Sequence, residues 1–95
     1  MGGLRFEWDP RKAAANLRKH GVSFSEAETV FTDERALLVD DPAHSADEDR
    51  FLLLGLSAQL RLLVVSHSYR RGDTVIRLIS ASKATRSERR QYTNR

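Results

Sequence analysis

Two uninterrupted apolar runs, Phe51-Leu52-Leu53-Leu54 and Leu62-Leu63-Val64-Val65, restrict this chain more than any other feature. Runs of that length and composition are expected of central strands covered on both faces, so helices must flank the sheet they build. Those helices have to come from the same 95 residues, a length that supports one core and not two. The expectation is therefore an α+β fold, one domain over residues 1–95, with a mainly antiparallel sheet and flanking helices. A deep substrate cavity is not expected in so small a unit.

The remaining elements follow from period and caps. Leu4-Arg5-Phe6-Glu7-Trp8 alternates apolar and charged residues and reads as a strand. Asp9-Pro10 then supplies a helix N-cap and a proline at the first helical position, so a helix is predicted from Pro10 to Gly21. Ser23 and Glu26 have capping-box spacing for a second helix ending near Thr32-Asp33, with Phe24, Ala27, Val30 and Phe31 on its apolar face. Ala36 to Val39, Phe51 to Leu56, Leu60 to Ser68 and Thr74 to Ala81 read as strands, the last three joined by hairpins at Ser57-Ala58-Gln59 and Arg70-Arg71-Gly72-Asp73. A last helix is expected from about Lys83 to Asn94, capped by Ser82 or by Thr85 with Glu88. The order is β-α-α-β-β-β-β-α, with Pro42 to Asp47 as the longest loop.

Cysteine is absent, which leaves ordinary packing to stabilise the fold and agrees with a reducing, cytoplasmic setting. No apolar run approaches the roughly 20 residues of a membrane span, and no secretory signal is legible. Charge is uneven. Ser82 to Arg95 holds Lys83, Arg86, Arg89, Arg90 and Arg95 against Glu88 alone, a net +4, so with +3 overall the first 81 residues carry 3 − 4 = −1. A basic end on a near-neutral body suits a phosphate-rich partner, and equally a solvated helix face. The acidic stretch Asp40-Asp41 and Asp47-Glu48-Asp49 suits a basic partner or a solvated loop.

Phosphate-loop, dinucleotide and zinc-protease motifs are missing, and His20, His44 and His67 lack metal-ligand spacing, so no cofactor or metal is expected. What the chain offers instead is bases and proton carriers on or beside strands: Lys19, His20, Glu48, Arg50, His67, Arg77, Lys83 and Arg86. Metal-free RNA cleavage needs little more than that, because the 2′-hydroxyl must lose a proton, the leaving oxygen must gain one, and the pentacovalent phosphorus carries extra negative charge. Arginine serves the charge and histidine or glutamate the protons. Arg77 interrupts the apolar strand Val75-Ile76-Arg77-Leu78-Ile79, and alternation puts it on one face with Val75 and Ile79. Position alone leaves it as a phosphate ligand, or as an edge-facing arginine paired with an acid such as Glu48. His67, among Leu63, Val65 and Tyr69, is equally a catalyst or a hydrogen-bonded structural residue. Arg18, Lys19 and His20 have a structural explanation too, since bases in a last turn meet the negative end of the helix dipole. Trp8 and Phe31 read as core, while Tyr69 and Tyr92, near arginines, read as base-stacking candidates.

Taken in order, several blocks resemble the BrnT family of toxins within the RelE-like ribonuclease group. They are Phe6-Glu7-Trp8-Asp9-Pro10, Asn16 with Lys19-His20-Gly21-Val22-Ser23-Phe24, Ala27 with Val30-Phe31, Glu48-Asp49-Arg50-Phe51 with Gly55, and Arg77-Leu78-Ile79-Ser80-Ala81 with Lys83-Ala84-Thr85 and Glu88-Arg89-Arg90-Gln91-Tyr92. The resemblance covers nearly the whole chain. It implies a RelE-like sheet, RNA cleavage that arrests translation, and neutralisation by a BrnA-type antitoxin with a ribbon-helix-helix region, the pair repressing its own operator DNA. It adds weight to Lys19, His20, Glu48, Arg50, Arg77 and Lys83 at the catalytic site, with Lys83, Arg86, Arg89, Arg90 and Tyr92 toward RNA. One position departs from the pattern: Ser82 stands where related sequences commonly carry arginine. The rival expectation is a non-catalytic module that binds nucleic acid or a partner and acts as corepressor with its antitoxin.

Overall fold

The computed structural model describes residues 4–40, 50–70, 72 and 74–94. The elements are β1 (Arg5–Glu7), α1 (Pro10–His20), α2 (Phe24–Thr29) running into a 3-10 turn (Val30–Thr32), β2 (Leu37–Asp40), β3 (Phe51–Leu56), β4 (Leu62–Arg70), β5 (Val75–Lys83) and α3 (Arg86–Thr93). The strands form one mixed sheet in the order β1-β5-β4-β3-β2. β2 to β5 pair antiparallel, while β1 joins the edge of β5 in parallel.

Local signals set the helix ends. Asp9 accepts from the Arg11 amide at 2.8 Å and Pro10 opens α1. Gly21 closes α1 in the left-handed region at φ 68°, where a side chain would be strained. α3 starts at Arg86, about one turn later than a helix from Lys83 would, because β5 continues to Lys83 and the Ala84 amide still donates to the Leu62 carbonyl at 2.9 Å. Its cap is thus Thr85, in a complete capping box with Glu88, and not Ser82. β4 begins at Leu62 and not Leu60, since Leu60 sits in the connecting turn with φ 64°.

One sheet face carries the main core. Leu53, Leu63, Val65, Ile76, Leu78 and Ala81 pack beneath Val22, Phe24, Ala27 and Val30 of the α1–α2 layer. The other face is covered only in part: α3 lays Tyr92 against Leu54, Leu62 and Val64, with Ala84 from the link before it. The expectation of helices over both faces therefore holds for half of the second face. At Gly55 the 3-10 turn and the link before β2 lie close against the sheet; a Cβ there would lie 2.8 Å from Val30 Cγ1 and 2.9 Å from Ala36 Cβ.

Two buried polar networks join these layers. Asn16 is only 5% exposed on the inner side of α1. Its Nδ2 donates to the Val22 and Ala81 carbonyls at 2.9 and 2.8 Å, and its Oδ1 accepts from the Ala81 amide at 3.0 Å. β1 reaches only as far as Arg77 along β5, so Asn16 takes the place of a neighbouring strand on the edge beyond it. In the second network Glu26 has left the capping box half made. Ser23 Oγ accepts from the Glu26 amide at 3.0 Å, but the Glu26 carboxylate turns inward to a forked contact with Arg61 and a 2.7 Å bond from Ser57 Oγ. Arg61 also donates to the Gly21 carbonyl at 3.0 Å, tying the end of α1 to the same group.

The Arg61 guanidinium holds the Glu26 carboxyl below its ordinary range against the opposing effect of burial. A lowered folded value means that this stability is complete above the ordinary carboxylate range and is lost as pH falls through the folded one. We expect the denaturant midpoint of the wild type to fall with acid across that window, and Glu26→Gln to be less stable at neutral pH with a flatter acid limb. Urea titrations between pH 7 and 3 measure both; a variant with the wild-type slope would remove Glu26 from the account.

Candidate nucleic-acid face

Register places the arginines. Ile76 and Leu78 face the main core, so Arg77 between them points to the partly covered face. There it is opposite Glu7 on β1 and Ser68 on β4. The β3–β4 ladder pairs Phe51 with His67, which brings Arg50, one residue earlier, beside Ser68; alternation puts it with Leu52 on the same face. Glu7, Arg77 and Ser68 thus make one row across β1, β5 and β4, and the β3–β4 register continued by one residue beyond Phe51 would add Arg50 to it. At about 4.8 Å per strand the two arginine Cα atoms are about 10 Å apart, with a small hydroxyl side chain between them.

The acid that meets Arg77 is Glu7. Arg77 Nη1 donates to Glu7 Oε2 at 3.0 Å, and Arg70 Nε lies 3.5 Å from the same oxygen. All three are about a third to a half exposed, so this is a solvent-screened cluster that orients the guanidinium more than it stabilises the fold. Glu48, the acid expected there, lies outside the described residues, as do the Asp41–Asp49 part of the acidic stretch and His44.

Lys19 and His20 come to the same strand from its edge. Together with Lys12 of α1 they line a shallow cleft against Ile79 and Ser80, where β5 has lost β1 as a neighbour. An irregularity in the ladder lies here: Ser66 pairs with Ser80 but His67 pairs with Leu78, which leaves Ile79 as an extra residue on β5. Ile79 therefore does not share Arg77's face by simple alternation and turns toward the cleft instead. Lys12, Ser68 and Glu7 were not among the sequence candidates; only their positions beside flagged residues in register reveal them.

Burial bears on two further candidates. His67 is 0% exposed, with Phe31 edge-on at a 4.8 Å centroid distance and Phe51 and Tyr69 at 6.1 and 5.3 Å. Its Nδ1 donates to the Val65 carbonyl at 3.1 Å and its Nε2 faces the Tyr69 hydroxyl at 3.4 Å. Burial pushes its pKa down, and its enclosure by Phe31, Phe51 and Tyr69 gives it a hydrogen-bonded place in the core. Tyr92 is no open stacking platform: its ring packs on the second cluster and its hydroxyl donates to Asp33 Oδ2 at 2.7 Å. Tyr69 remains 36% exposed.

Lys83 is exposed at the end of β5, and Arg86, Arg89 and Arg90 are exposed on α3. The partly covered face is therefore a trough. The arginine row lies at one end and α3 at the other, with Ser66, Ser80 and Ser82 on the strands between them. Among the described residues no three His, Cys, Asp or Glu side chains stand together as a metal site, and no helix is long and apolar enough to cross a membrane.

A mixed five-stranded sheet with α1 and α2 over one face and α3 over part of the other defines a small α+β domain. The chain belongs to the BrnT family, described as ribonuclease toxins of type II toxin-antitoxin systems, whose model matches residues 8–88. The fold is similar to the 1.1 Å crystal structure of the Brucella abortus ribonuclease toxin BrnT, with a TM-score of 0.67 and 22% identity over 88% of this chain and 100% of that one. A search of curated proteins found no match.

Proposed function

We propose that this chain is a metal-independent endoribonuclease that arrests translation by cutting RNA across its half-open sheet face. The row Arg77, Ser68, Arg50 carries this reading. Two long guanidinium side chains rise from one face about 10 Å apart at their bases, close enough to converge on one phosphate, and the serine between them leaves room for it. Membership of a ribonuclease toxin family supports the substrate class.

In this mechanism Arg77 and Arg50 hold the non-bridging oxygens as negative charge builds on phosphorus. Lys19 and Lys12 add positive potential from the cleft, and Glu7 keeps Arg77 in one orientation. Since His67 is enclosed, proton transfer falls in this proposal to His20, which reaches the β5 edge at Ile79 and Ser80 from the end of α1, or to Glu48. Arg86, Arg89 and Arg90 guide the strand along α3, with Lys83 at the junction, and Ser82 offers a hydroxyl where a guanidinium would reach further. RelE-like kinship of the sheet, a BrnA-type ribbon-helix-helix antitoxin and repression of operator DNA by the pair belong to the same proposal.

The test is a defined RNA incubated with purified protein in excess EDTA, alone and then with translating ribosomes. We expect metal-independent fragments ending in 2′,3′-cyclic phosphate, because attack by the 2′-hydroxyl expels the 5′-oxygen and closes that ring. Intact RNA under both conditions would leave the non-catalytic binding module as the reading. Fragments that vanish with EDTA would remove metal independence alone.

A further inference from the structure

The flank of α1 turned toward α2 is apolar and open. Ala13, Ala14 and Leu17 fall on that side of the helix. With Trp8 and Phe24 they floor a groove of about 220 Å³ whose far lip is Ser23 and Ser25. Leu17 is 53% exposed, and the Trp8 and Phe24 rings meet edge to face at 5.8 Å, which stiffens the floor. Beyond Ala14 the exposed surface of α1 turns basic. Arg11 and Arg18 stand three residues before and four after Ala14, both exposed, and α1 from Pro10 to His20 contains no acid.

We propose that this groove docks an acidic amphipathic segment of a partner protein, with apolar side chains seated on Ala14, Leu17 and Trp8 and carboxylates meeting Arg11 and Arg18. An apolar groove beside a basic helix flank is complementary to such a segment, apolar on one side and acidic beside it. A nucleic-acid backbone would leave the floor uncovered. The groove is also smaller than the roughly 300 Å³ at which small-molecule pockets begin. A second copy of this chain is a poor occupant, because a two-fold contact would bring one basic helix against the other. α1 packs on the core face, opposite the arginine row, so a partner anchored here leaves the trough accessible. The inference does not depend on how that trough acts.

Trp8 is the single tryptophan of the chain, so its emission reports occupancy of the groove. The probe is a designed, tryptophan-free helical peptide with leucines spaced three and four residues apart and glutamates beside them, added to the full-length protein. We expect a saturable change in Trp8 emission. Leu17→Glu should weaken binding by roughly tenfold or more, and Arg18→Glu should weaken it and flatten its salt dependence. Both positions are exposed, and thermal melts check that the variants fold; should Leu17→Glu fail to, Arg18→Glu carries the test. The proposal is overturned by no emission change up to about 1 mM peptide, or by equal binding of a lysine-flanked control. It is also overturned by an RNA oligonucleotide signal that Leu17→Glu abolishes, or by self-association that the same variant removes.

Discussion

Arg77→Ala should slow RNA cleavage by about 10²- to 10³-fold, the usual loss when one positioned electrostatic donor is removed from a developing negative charge. The fold should survive, because the guanidinium is about a third exposed and Glu7 keeps Arg70 as a partner at 3.5 Å. Glu7→Gln is the control that separates the two roles of Arg77. Were Arg77 there only to pair Glu7, removing either partner would have the same effect. A phosphate ligand predicts instead that Glu7→Gln, which removes only the orienting partner, lowers the rate by much less than Arg77→Ala does. Arg77→Lys should recover only part of it, since an ammonium keeps the charge but loses the fork that spans two oxygens. The readout is the single-turnover cleavage rate of one RNA, and a folded Arg77→Ala protein with wild-type rate would sink the assignment.

Asn16→Asp should cost about 3 to 5 kcal/mol of stability although it changes one atom group, because it turns a buried donor into a buried anion. Asn16 Nδ2 serves two carbonyls, of Val22 and Ala81, at 2.9 and 2.8 Å. An aspartate would leave both unsatisfied and set negative charge against them at a site only 5% exposed. A domain of this size has about 5 to 15 kcal/mol in total, so the melting temperature should drop by roughly 15 °C or more. Asn16→Ala should lose less, because it removes the bonds without adding charge. The pH dependence distinguishes the two. Burial raises the carboxyl's folded pKa above its unfolded value, so the deficit of Asn16→Asp relative to wild type should shrink as pH falls and the carboxyl regains a donor proton. A deficit that stays constant with pH would mean that ordinary loss of packing, and not charge, is responsible.

The sequence was most informative where structure depends on near neighbours. Asp9-Pro10, Gly21, Ser23 and the Thr85–Glu88 pair mark helix ends because a cap is satisfied within one turn. The runs at Phe51 and Leu62 mark central strands because a strand interior admits little else. Lys19, His20, Arg50 and Arg77 were legible as candidates for the same reason: each is a base standing in or beside an apolar element. Asn16 carried a faint signal, as the polar residue on the inner side of α1 between Ala13 and Leu17.

Only the tertiary structure decided which of these residues meet. His67 and Arg77 are both polar breaks in apolar strands, yet one is enclosed by Phe31, Phe51 and Tyr69 while the other reaches the open face. The side of the sheet toward which a strand residue points follows from register, and register here includes an extra residue at Ile79 that no local pattern announces. Glu26 has the spacing of a cap but spends its carboxylate on Arg61, 35 positions away. Glu7 and not a nearer acid finds Arg77, because β1 pairs with β5 across 70 positions of sequence. Capping and period are settled within a few residues, whereas burial and ion pairing are settled by which strands lie side by side, and that is a property of the whole chain.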